Sequence, residues 1–194
     1  MAGDTQGEVT KLLPDIAAGS REAKNQLFEL VYDELRGMAR AKMAREPEDH
    51  TLQPTALVNE VYMKLFADRN LKAPNRAYFF AAAAEAMRQV LVDHARKRRA
   101  EIHGGNLRRT PIDAVLDALT TSQQVDMLAL HEALERLEGF GKRQYEAMML
   151  RFFGGLKNEE VAEHLKVSVS TVEKDWKIAR AWLHGQLLER ENDA

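Results

Sequence analysis

The stretch NEEVAEHLKVSVSTVEKDWKIARAWL, Asn158 to Leu183, decides the fold. Two short helical patterns lie in it, a few residues apart. The first sets Val161, Ala162 and Leu165 on one face, and the second sets Val172, Trp176, Ala179 and Leu183 at intervals of about four residues, the spacing of one side of a helix. Between them stands KVS. Ser168 is an N-cap candidate and Ser170 with Glu173 offers a capping box, so the second helix is expected to begin within a residue or two of Val169. This is the layout of a helix-turn-helix. With Val172, Trp176 and Ala179 turned inward, Ser170, Thr171, Lys174 and Lys177 point outward. They put hydroxyls and ammonium groups at the leading end of a helix, the groups that contact phosphates and base edges. Glu173 and Asp175 are expected to dilute that positive charge, and Lys166 occupies a turn where glycine would bend more easily. A helical hairpin within an ordinary core is the competing reading of the segment.

Outward from this stretch, nearly every periodic segment is helical. Val9, Leu12, Leu13 and Ile16 form a first stripe, ended by Gly19 and followed by Ser20 as a new cap. Leu27, Val31, Leu35 and Met38 form a second. After a polar loop around Pro47, Thr55 is the expected cap of a third helix that buries Leu57, Val58, Val61, Tyr62, Leu65 and Phe66 and shows Asn59, Glu60, Met63 and Lys64 on its other face. A loop over 67–75 leads to a long alanine-rich helix from Arg76 toward Arg99, a composition that favours helix and close packing. The glycines and proline of EIHGGNLRRTP mark a connector, after which Leu130, Ala133, Leu134 and Leu137, then Tyr145, Met148, Met149 and Phe152, restore helical spacing around a break at EGFGK. No strand-like alternation and no repeat occurs. The expectation is an all-α chain of two small helical domains, 1–100 and 126–194, joined by a flexible linker over 101–125.

The chain has 194 residues and is 45% hydrophobic, enough for real cores. It contains no cysteine, which removes disulfides, thiolate metal sites and cysteine nucleophiles and agrees with a reducing cytoplasm. The first residues lack the basic and apolar segments of a secretory signal, and no apolar run approaches membrane-spanning length, so a soluble, cytoplasmic protein without a membrane partner is expected. The net charge of -2 is unevenly spread. Residues 76–109 carry eight Lys/Arg against three Asp/Glu, net +5, and residues 110–141 carry one against six, net -5.

Six histidines raise a metal or catalytic reading, and each fails on spacing. HEALE at His131 lacks the second histidine of a zinc-protease helix, with Glu135 in its place. Asp93-His94 has no companion histidine at a useful distance, and Glu160 with His164 is a bare pair on an amphipathic helix. There is no phosphate-cradling glycine loop and no Gly-x-Ser-x-Gly. No enzyme activity, metal or cofactor is expected. The basic run Arg96, Lys97, Arg98, Arg99 ends a helix that begins with Tyr78, Phe79 and Phe80, after a loop with Arg69, Asn70 and Asn75. Ring faces, amides and cations in that mixture suit unstacked single-stranded bases; the competing reading places the aromatic rings in a core, and at least one of them is expected there.

At this point the chain resembles a specific family, the compact two-domain sigma factors of bacterial RNA polymerase of the extracytoplasmic-function (ECF) type. LVNEVYMKLF, Leu57 to Phe66, resembles their polymerase-binding helix; VLVDHARKRR, Val90 to Arg99, resembles the end of the DNA-melting helix. The segment from Tyr145 to Leu183 resembles the domain that reads the minus-thirty-five element. The likeness covers nearly the whole chain in the right order, and RAYFFAAAAEAM, LVDHAR and DWKIARAWL are most similar to a divergent ECF-like subgroup. Many members have a Trp and an Asn in the melting helix where Ala82 and Gln89 stand here. The resemblance implies a dissociable specificity subunit that binds core RNA polymerase, recognises promoter DNA and helps open the duplex without nucleotide hydrolysis, and it admits an anti-sigma factor as a partner. It implies polymerase contacts at Asn59, Glu60 and Met63 and minus-thirty-five contacts at Ser170, Thr171, Lys174, Lys177 and Arg151. For the minus-ten region it implies contacts at Arg69, Asn70, Asn75, Arg76, Arg88, Gln89, Arg96 and Arg98. The rival reading is a stand-alone helix-turn-helix regulator that binds a palindromic duplex without polymerase.

Overall fold

A computed structural model describes residues 5–43, 52–67, 71, 73–101 and 127–192. Arg69, Asn70 and the expected linker from residue 102 onward lie outside the described residues. Among the described residues all regular structure is helical.

Helix α1, Thr5–Ala17, and helix α2, Arg21–Met43, meet at a turn in which Gly19 takes φ 95°, a conformation open to glycine. Ser20 caps α2, its Oγ accepting from the Ala23 amide at 3.2 Å. The buried stripe of α2 is Ala23, Leu27, Val31, Leu35 and Ala39, while Met38 is only half-buried. Helix α3 spans Pro54–Ala67 and starts one residue before the expected cap, because a proline fits the first turn, where an amide would have no helical partner. Gln53 O accepts the first bond, from the Leu57 amide at 2.9 Å, and Thr55 is exposed.

Helix α4, Arg76–Glu101, is capped by Asn75, whose Oδ1 accepts from the Tyr78 amide at 3.1 Å. It buries Phe79, Phe80, Ala83, Ala84, Ala86, Met87, Val90, Leu91 and Val92. These residues do not form one stripe, since α4 is covered from more than one side, by α1 and α3 and by the C-terminal helices. The aromatic run expected to offer stacking surfaces is therefore mostly core: Phe79 and Phe80 are fully buried and only Tyr78 is exposed.

Helix α5, Met127–Phe140, buries Leu130, Ala133, Leu134 and Leu137 and ends before Gly141. Helix α6, Lys142–Met148, runs into a wider π turn, Met149–Phe153, in which the Gly154 amide donates back to Met149 O. A Cβ at Gly154 would strike the Leu150 carbonyl, and Gly155 takes φ 63° beside Met38, so both glycines of FFGG are required where they stand. The π turn buries Met149, Leu150, Phe152 and Phe153 together and turns Arg151 outward. Helices α7, Asn158–Leu165, and α8, Val169–Asn192, form the helix-turn-helix, and α5, α6 and α7 all pack on α8. α4 in turn packs on the π turn, α5 and α7, so α1–α4 and α5–α8 share one continuous core.

Candidate nucleic-acid interface

The turn between α7 and α8 is made without glycine. Lys166 takes φ 55°, ψ 45°, in the left-handed region, at a cost of about 1 kcal/mol for an L-residue. The Val167 amide donates to Ala162 O at 3.0 Å, closing the end of α7. Ser168 then starts α8: its Oγ accepts from the Thr171 amide at 3.2 Å and lies 2.8 Å from Thr171 Oγ1 and 2.9 Å from Ser170 Oγ. The three hydroxyls form one cluster at the leading end of the helix. Ser170, Lys174 and Lys177 are exposed, and Thr171 is half-buried through its bond to Ser168.

Two features of α8 differ from the sequence expectation. Trp176 is half-buried, and its outer ring face carries the guanidinium of Arg151, 4.1 Å from the ring centroid. Burial pulls the pKa of Arg151 down from its ordinary value, though an arginine stays cationic. Asp175, expected on the solvent side, is 1% exposed. Its carboxylate accepts from Arg143 Nε at 2.5 Å, Arg143 Nη2 at 3.2 Å and Gln144 Nε2 at 2.5 Å. It ties the second turn of α8 to the first turn of α6. The signal was in the spacing, since position 175 lies three after Val172 and four before Ala179, on the inward face. Arg180, one turn beyond Trp176, lines a shallow cleft with Lys177 and His184 and lengthens the cationic face past Lys177.

On α3, Asn59, Glu60 and Met63 all face solvent, with Met63 69% exposed, unusual for a large apolar side chain. Glu60 Oε1 lies 3.0 Å from His94 Nε2 of α4.

The residues proposed for the minus-ten region divide. Gln89 and Arg96 are exposed, Arg98 is half-buried, and Asn75 is half-buried with its amide oxygen used as the α4 cap. Arg76 and Arg88 are instead engaged inside the protein. Arg76 pairs with Glu34 of α2 and donates from Nη1 to Glu160 of α7 at 2.5 Å, with its guanidinium 4.4 Å from the Phe80 ring centroid. Arg88 donates from Nη2 to Glu85 Oε1 at 2.7 Å and contacts His131 of α5. Gln89 Nε2 and Tyr145 Oη donate to the same Glu85 carboxylate, at 2.8 and 3.3 Å. Burial alone would raise the Glu85 pKa, but the bonds from Arg88 and Gln89 outweigh it and hold the carboxyl below its ordinary value. Burial, with the Glu85 charge second, pushes the Tyr145 hydroxyl up, so it remains a donor. Burial and the neighbouring Arg88 cation pull His131 down, keeping the imidazole neutral as an acceptor.

Among the described residues no cluster of acidic or histidine side chains is arranged to hold a metal ion, and no helix is long and apolar enough to cross a membrane. One family model, described as ECF sigma factor, matches residues 6–189. No curated protein matches the chain.

Proposed function

The chain belongs to the ECF sigma factor family, and from that premise we propose a specific division of labour among its helices. The exposed face of α3, with Asn59, Glu60 and Met63, docks on core RNA polymerase. The leading end of α8 enters the major groove of the minus-thirty-five element, Ser170, Lys174 and Lys177 reaching bases and phosphates while Arg151 and Thr171 flank them. The segment before α4 and the basic end of α4, from Arg69 to Arg98, meet the opened minus-ten region. Residues 1–100 and 126–194 act as the two promoter-reading domains with 101–125 as their connector, and the protein works in the cytoplasm without catalysing a reaction of its own.

The observation that carries this reading is the solvent-facing start of α8. A turn that closes without glycine presents hydroxyls and two free-standing lysines beyond a helix held from behind by Val172, Asp175, Ala179 and Leu183. Helix N-termini of this kind approach base edges while nearby cations hold the backbone. A net charge of -2 is small for a protein gripping DNA unaided, but tethering to polymerase raises the effective concentration of each weak contact. Asn59→Ala combined with Glu60→Lys tests the docking face. Both positions are exposed, so melting should move by no more than the equivalent of about 0.5 kcal/mol while core binding falls. Normal core binding by the double variant would remove α3 from the interface.

A further inference from the structure

Resting on the assignment of Arg151 and α8 to the upstream element, we propose that Trp176 is a positioning residue for promoter binding. Its indole face is a shelf that holds the Arg151 guanidinium, with its charge uncancelled, toward a backbone phosphate of that element. Two arginines reach α8 from the segment before the helix-turn-helix, and they meet it in opposite ways. Arg143, in the first turn of α6, goes to the buried Asp175 carboxylate, which cancels its charge and occupies Nε and Nη2. Arg151 goes to the next residue, Trp176, with its Cζ 4.1 Å from the ring centroid. A ring face takes a guanidinium by its flat side, so the charge remains and the N–H donors around the edge stay available. Among the described residues neither Arg151 nor Arg180 forms a side-chain hydrogen bond or ion pair. Arg76 and Arg88 each grip a carboxylate instead.

The local backbone serves the same arrangement. Arg151 is the middle residue of the π turn Met149–Phe153; the other four are buried and it alone turns outward. Such turns interrupt the regular helical spacing and recur at functional sites. This one is fixed at its end by Gly154, where a Cβ would meet the Leu150 carbonyl oxygen at 2.5 Å. Burial lowers the pKa of Arg151; Glu173, about one turn before Trp176, opposes that shift, and Arg180, one turn after it, adds to it. Arg151 therefore lies within reach of an acid and of a second guanidinium on α8, and the indole holds it stacked rather than paired with Glu173. Arg180 borders the same face in a cleft with Lys177 and His184. Neighbouring cations with open donors suit a phosphate, which accepts two parallel N–H bonds from one guanidinium fork. Stacking also removes rotamer freedom before DNA arrives, so less is lost on binding.

The chain has two tryptophans, so in a Trp182→Phe background the indole fluorescence comes from Trp176 alone. In the free chain Arg151→Ala should uncover the outer ring face and raise acrylamide quenching, whereas Lys177→Ala should leave quenching as it was. Unchanged quenching in Arg151→Ala overturns the shelf, whatever the chain binds. Holoenzyme reconstituted with core polymerase is then titrated, across a salt series, with a promoter selected by the wild-type chain. Arg151→Ala and Trp176→Leu should each weaken binding about tenfold, the loss of one charge-assisted contact, and flatten the salt dependence by about one unit. The double variant should lose no more than either single one, and Trp176→Phe, which keeps a flat ring, should recover most of the loss. A tryptophan that only fills space would give Trp176→Leu an unaltered salt slope and a loss additive with that of Arg151→Ala, and either result overturns the proposal. Should Trp176→Leu melt early, the quenching of Arg151→Ala decides alone, since it leaves the indole in place. A wild-type chain that gives core polymerase no promoter preference overturns the upstream-element assignment and the proposal with it, even where quenching finds the stack intact.

Discussion

The buried carboxylate of α8 offers the sharpest test of how the recognition helix is held. Asp175→Ala removes an acceptor that is 1% exposed and takes three hydrogen bonds, two from Arg143 and one from Gln144. Hydrogen bonds to a charged group contribute about 1.5 to 3 kcal/mol, but the Arg143 side chain is 50% exposed and can rehydrate once released. The expected loss is therefore about 2 kcal/mol, below the roughly 3 to 5 kcal/mol of breaking a pair buried on both sides. Urea denaturation of the wild type, Asp175→Ala, Arg143→Ala and the double variant closes a thermodynamic cycle, in which residues in direct contact should show coupling of at least about 1 kcal/mol. The same variants should lose minus-thirty-five dependence in promoter-library transcription, since α8 is no longer fixed to the first turn of α6. Coupling near zero, or full minus-thirty-five dependence in Asp175→Ala, would refute the claim that this carboxylate orients the helix.

Three further outcomes are expected. Phe79→Ala, at a fully buried position of α4, should cost about 3 to 5 kcal/mol in denaturation, whereas a ring used only to stack bases would leave stability unchanged. Lys177→Ala should weaken binding to all upstream elements alike and flatten the salt dependence by about one unit, with helical content preserved because the side chain is exposed. Acid should loosen the packing of α4 on α5 and α7. His131 faces Arg88 and Arg96 of α4 and Glu132 and Glu135 of its own helix, and burial together with Arg88 lowers its pKa in the packed chain. A lowered pKa stabilises the packed chain fully above the ordinary histidine value of about 6.5, and that contribution is lost as pH falls through it toward the depressed value. His164, lowered by burial, acts in the same direction. Scattering between about pH 7.5 and pH 5.5 should show expansion in the wild type that His131→Gln reduces, and equal expansion in both would exclude His131.

Most of the helices were legible because they bury a single stripe. The apolar residues of α2, α3 and α5 recur at the helical interval, and Ser20 and Ser168 cap where the sequence places them. α4 was legible as a helix but not in its surroundings. Burial from several sides erases the contrast between faces, so nothing in Tyr78-Phe79-Phe80 separates a core ring from an exposed one. The π turn at Met149–Phe153 has no local signature beyond the glycines that end it, and its effect on the site, lifting Arg151 onto Trp176, depends on tertiary packing. Trp176, expected as a buried anchor, is half-covered by that arginine instead. The candidate residues on exposed faces, Asn59, Met63, Ser170, Lys174 and Lys177, were found because one-sided helices leave their other side to solvent. Arg76 and Arg88 could not be separated from them, because the contacts they make with the C-terminal helices, to Glu160 and His131, lie 84 and 43 positions away.

The most direct test of the account is transcription from genomic fragments by core RNA polymerase with and without the wild-type chain, with start sites mapped and upstream sequences compared. New start sites should appear only with the chain present and share two sequence elements at fixed spacing. Alanine at Lys174 should alter the upstream element and leave the downstream one unchanged. Absence of chain-dependent starts, together with tight binding of the free chain to a palindromic duplex without polymerase, would contradict the account and identify a stand-alone regulator.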